Sequence, residues 1–185
     1  MATLQMDRSG LWEVSSRVIV YAAIGAALYG VLGLFSFIIP GSNNVSIRPA
    51  IALVPFFGIA FGPVVGLFTG LVGNMLLDQL TGYGALTAWN WSIAVGLVGL
   101  IAGVLAATQL ARIGNKLVGA AIVAVAAQAI GLLFVFTDMV VFGNSFEAAL
   151  TGSYLWALVP NVIASAILVP VLVAAWAPLK ESLGR

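Results

Sequence analysis

Two glycines, an asparagine and an aspartate recur at intervals of four residues: Gly66, Gly70, Asn74 and Asp78. On a helix this spacing puts all four on one face, smooth at one end and polar at the other. Trp89, Asn90 and Trp91 follow closely, and Gln128, Asp138, Tyr154 and Asn161 are the further polar and aromatic groups set in otherwise apolar sequence. Such groups suit reversible recognition of a small molecule. Acids and amides can hydrogen-bond a ligand or balance its charge, and aromatic rings can stack on a planar ring or attract a cation. The chain has neither cysteine nor histidine, which excludes disulfides, thiol nucleophiles, imidazole bases and ordinary zinc sites.

The elements that position these groups must lie in a bilayer. Hydrophobic residues make up 62% of the 185 and charged residues 7%, with mean hydropathy +1.15, which leaves too little polar surface for a soluble globule. Apolar runs long enough to cross recur along nearly the whole length and leave no room for a separate soluble domain. The expected fold is all-α: one polytopic membrane domain over residues 1–185, a bundle of six transmembrane helices near 18–39, 49–61, 63–82, 92–110, 117–142 and 154–177. The first run is too long for a signal-peptide core and is preceded by Asp7, Arg8, Glu13 and Arg17, so it is read as retained. The second is short and contains Pro55, features that on their own suit a re-entrant or broken helix.

Charge favours a crossing there. With six spans and a cytoplasmic N-terminus, Arg8, Arg17, Arg112, Lys116, Lys180 and Arg185 face the cytoplasm and Arg48 alone lies outside, in line with the positive-inside bias. Both termini are then cytoplasmic. The turns GSNN at 41–44 and GYG at 82–84 fall on the outer side.

In this topology Asn74, Asp78, Trp89, Asn90, Trp91, Asp138, Tyr154 and Asn161 share the outer depth, where they could converge on an outward-facing cavity with Gln128 as its floor. Each also has a purely structural use. Glycines let helices approach closely, amides bond neighbouring helices, and tryptophan or tyrosine anchors at the interface. Asp78 is harder to set aside, because a carboxylate near the end of a membrane helix is costly unless paired, hydrated or used. A second smooth stripe, Ala22, Ala26 and Gly30 with Ala23 and Ala27 beside it, suits either internal packing or a partner subunit.

Taken in order, these features resemble the substrate-binding S components of energy-coupling factor (ECF) vitamin transporters. The resemblance is carried by the Ala22-xxx-Ala26 pair, Arg48-Pro49, the FGPVVG block at 61–66 leading to Asp78, and Pro160-Asn161. It implies a subunit of a prokaryotic cytoplasmic membrane that captures a vitamin or related micronutrient from outside with high affinity. It further implies docking through the alanine-rich first helix onto a transmembrane scaffold driven by two cytoplasmic ATPases, with toppling to release the substrate. The chain lacks a G-x-x-x-x-G-K-[ST] phosphate loop, so energy has to come from other chains.

The outer side carries Asp78, Asp138 and Glu147 against Arg48, which mildly disfavours an anionic ligand. A thiamine-like compound, a pyrimidine precursor or a flavin would fit. No cofactor, metal or nucleic acid is expected. Two rivals stand beside this reading: a membrane enzyme with Asp78 and Asp138 as an acid–base pair, and a self-contained secondary transporter or channel with Asp78 as coupling site.

Overall fold

The computed structural model describes residues 11–42 and 45–182. Asp7, Arg8, Asn43, Asn44 and Arg185, used above for charge and turns, lie outside the described residues.

Helix α1, Ser16–Leu32, is opened by Ser15, whose Oγ accepts the Val18 N–H. It stops at Leu32 rather than continuing to residue 39. A turn leads instead into β1, Phe37–Ile38, paired antiparallel with β2, Ser46–Ile47, with Phe37 opposite Ile47. This small hairpin departs from the all-helical expectation for a local reason. Aromatic and β-branched residues flank a Pro40-Gly41 turn in which Gly41 takes φ 85°, a combination that favours paired strands.

Arg48 is extended, as a residue before proline should be. A tight 3-10 turn, Pro49–Ala52, then feeds α2, Leu53–Phe61. The chain reverses at Gly62 (φ 104°), and Pro63 occupies the first turn of α3, Pro63–Leu80. The FGP triplet is thereby explained: Gly62 takes a φ that side chains resist, Pro63 starts a helix without wasting an N–H, and Phe61 packs its ring against Tyr21, Phe57 and Trp176 at 4.4, 5.2 and 5.0 Å. Helix α4 is Trp89–Ala106, so the Trp-Asn-Trp segment lies inside its first turn. Helix α5, Lys116–Gly131, is capped by Asn115 and prolonged by tighter turns through Leu132–Thr137 to Asp138–Val141. Helix α6 opens with a widened turn, Ala148–Tyr154, and runs on as Leu155–Ser182.

Four of these stretches, Pro63–Leu80, Trp89–Ala106, Lys116–Val141 and Ala148–Ser182, are long and apolar enough to cross a membrane; Ser16–Leu32 and Pro49–Phe61 are apolar but shorter. The hairpin aside, this is the architecture of an all-α membrane protein.

Helix α3 sits between α1 and α4, and its glycine stripe closes the second of these contacts. A Cβ on Gly66 or Gly99 would run into the other's backbone, and one on Gly70 into the Val95 carbonyl. Gly73 meets Ala26 and Tyr29 of α1. Ala22 and Ala26 are therefore buried within the chain, at 8% and 3% exposure, while Ala23 and Ala27 are exposed. Of the alanine stripe named above as a docking candidate, Ala23 and Ala27 are thus the exposed part, while Ala22 and Ala26 face inward, Ala26 against Gly73 of α3.

Candidate ligand-binding site

A cavity of about 390 Å³ opens where the hairpin, the start of α2 and the ends of α3 and α4 converge. That volume falls within the roughly 300–1,000 Å³ usual for small-molecule sites. Its apolar wall includes Ile38, Val45, Ile51, Val95, Leu132 and Ala157. Tyr29, Arg48, Asn74, Asp78, Trp91 and Asn161 supply polar and aromatic groups.

Asn74 organises the polar side. Its Oδ1 accepts from Arg48 Nη1 at 3.1 Å and, more weakly, from the Tyr29 hydroxyl at 3.4 Å; its Nδ2 donates to Asp78 Oδ2 and to Ser92 Oγ, both at 3.0 Å. The amide thus bridges a guanidinium and a carboxylate that also attract one another electrostatically. The polar side of the cavity is consequently dipolar, with Arg48 and Asp78 on either side of one amide. Arg48 Nε is buried without a hydrogen-bond partner. Asn161, 8% exposed, lines the cavity and its side chain makes no hydrogen bond among the described residues, so its amide is open to a ligand.

Of the sequence-predicted residues, Asn74, Asp78, Trp91 and Asn161 meet at this cavity. Asn90 and Asp138 lie behind the wall: Asp138 accepts from Asn90 Nδ2 at 2.7 Å and from Trp91 Nε1 at 3.1 and 3.2 Å. Gln128 is not a cavity floor. It is fully buried and ties α5 to α6 by donating to Ser165 Oγ at 2.9 Å. Tyr154 donates its hydroxyl to the Ala129 carbonyl and packs on Phe136, away from the cavity. Trp89 is 42% exposed, as an interfacial anchor would be. Sequence reasoning missed Tyr29 and Arg48 as lining residues. The signal for Arg48 was present, since it is the lone basic residue placed on the outer side.

Residues 13–178 match the family described as ECF-type riboflavin transporter, S component. The chain belongs to this family. S components are transporter subunits, which removes the membrane enzyme from consideration. The geometry agrees, because Asp78 lines the cavity while Asp138 faces the back of Trp91. Over 92 residues this S component is 39% identical to a UPF0397 protein of Aliivibrio fischeri (strain MJ11), a match that covers 49% of each chain. It thus spans about half the length of that curated relative.

Proposed function

We propose that this S component captures a vitamin with a planar ring in the cavity and delivers it to an ATP-driven transporter. The observation that carries the reading is the assembly of the Arg48–Asn74–Asp78 bridge, the Trp91 ring and the free Asn161 amide around one cavity. A flavin is the first candidate because of the family; thiamine-like and pyrimidine compounds suit the same wall. The test is mass spectrometry of whatever is released from gently purified protein, followed by calorimetric titration with riboflavin. A tight planar ligand is expected, and a protein that carries and binds none would overturn the reading.

In this reading all six helical stretches cross, both termini are cytoplasmic and the cavity opens outside. Asn115→Cys and Tyr83→Cys, introduced into a chain without cysteine, should then label from opposite sides of the membrane. Labelling from the same side would exclude the arrangement.

Docking onto a transmembrane scaffold with two cytoplasmic ATPases is assigned to the exposed part of the alanine face, Ala23 and Ala27, where small residues permit close approach by another helix. Ala23→Trp and Ala27→Trp are expected to cut ATP-driven uptake by about tenfold or more, the loss of about 1.4 kcal/mol of association, while ligand affinity stays unchanged. Uptake at the wild-type rate in both variants would move the docking surface elsewhere. Ala22→Trp and Ala26→Trp should instead damage the fold, since both alanines are buried within the chain.

A further inference from the structure

We infer that Asp138 is a positioning residue that acts through Trp91 and tunes the cavity for a ligand with an electron-poor or cationic ring. The inference rests on the cavity being the ligand site.

Trp91 lines the cavity and Asp138 does not. The indole Nε1–H points away from the cavity to both carboxylate oxygens, at 3.1 and 3.2 Å, so what Trp91 offers a ligand is ring carbon. Asn90 donates to the same carboxylate at 2.7 Å, so two successive residues of α4 grip one acid from the extension of α5. Asp138 is 3% exposed, and among the described residues its side-chain partners are neutral donors. Both side-chain oxygens accept and neither donates, so a carboxylate sits at the edge of the indole.

Two effects follow. The ring is locked in plane, which lowers the ordering cost of stacking. The charge-assisted hydrogen bond also polarises the indole toward its π face, deepening the negative side of the quadrupole. A cation or an electron-deficient heterocycle gains from that change, and an electron-rich ring does not. A merely structural Asp138 would behave differently, because its loss would weaken every ligand alike.

The probes are oxidised riboflavin, the same compound reduced anaerobically, and thiamine. Asp138→Asn keeps an acceptor for the indole N–H but removes the charge. It should weaken oxidised riboflavin and thiamine by roughly 3- to 10-fold and leave the reduced flavin unchanged. Without any ligand, it should also move the Trp91 indole N–H resonance upfield in protein carrying 15N-tryptophan, the signal being assigned by its disappearance in Trp91→Phe. A second arm avoids any change at Asp138. Protein grown with trifluorotryptophan, electron-poor at all five tryptophans, should show the same selective loss, and the same labelled protein carrying Trp91→Phe should not. Equal losses for oxidised and reduced flavin in this arm overturn the ring preference even if Asp138→Asn fails to fold. Equal losses for oxidised and reduced flavin, or an unmoved indole resonance, would overturn the role of Asp138 while leaving the ligand site intact. Failure of all three probes to bind wild-type protein would overturn the ring preference together with the site itself.

Discussion

Gly99→Val is expected to destabilise the bundle severely. Helices α3 and α4 touch backbone to backbone at Gly66 and Gly99, and a Cβ on Gly99 would overlap the Gly66 carbonyl and lie 2.9 Å from its Cα. Overpacked cores usually lose about 1–3 kcal/mol because side chains can shift. Here main chain would have to move, and α3 cannot back away freely because Gly73 already packs on Ala26 and Tyr29 of α1. The loss should therefore reach about 3 kcal/mol or more, enough to consume much of a small domain's stability. Size-exclusion profiles and thermal unfolding in detergent would measure it, with Gly99→Ala as the milder step. A monodisperse Gly99→Val protein with wild-type Tm would show that the two helices are not in this contact.

The second large effect concerns the charged bridge. Asp78→Asn should weaken the ligand by about 1.5–3 kcal/mol, roughly 10- to 100-fold, if the carboxylate accepts from it. It also leaves Arg48 without its counter-charge. Arg48→Gln has the mirror defect. Each single change strands the opposite charge in a half-buried setting, so the double variant should lose less than the sum of the two. Titration calorimetry on the three proteins decides the case. Wild-type affinity in both single variants would place the binding site elsewhere, and strict additivity would show that Arg48 and Asp78 act independently.

The stripe from Gly66 to Asp78 could be read from the sequence because a period of four survives folding unchanged: the same face is smooth at depth and polar at the cavity. Periodicity does not say who covers a face, which is why the sequence could not separate the buried Ala22 and Ala26 from the exposed Ala23 and Ala27. The end of α1 was misjudged because Phe37, Ile38 and Ile39 are as apolar as the helix before them, and a short apolar strand has no period that separates it from helix. Asp78 and Asp138 were indistinguishable by depth. What separates them is the direction of one indole N–H, which depends on the rotation of α4 against α5. Arg48 reaches the cavity from the stretch between β2 and α2, and no helical pattern marks such a residue.

Asn74 has a consequence for how this site can change over generations. Its amide accepts from Arg48 and Tyr29 and donates to Asp78 and Ser92, so α1, the segment before α2, α3 and α4 all meet on one side chain. Aspartate at that position would lose both donors, leucine would lose everything, and glutamine would carry the amide one methylene too far. Each single replacement orphans a buried polar group, at about 1–3 kcal/mol. A lineage that adopts a new substrate therefore has an easier path through the lining residues that make no such bonds, Ile38, Val45 and Ala157 among them, and the amide at the crossing of the helices stays fixed while the walls around it drift.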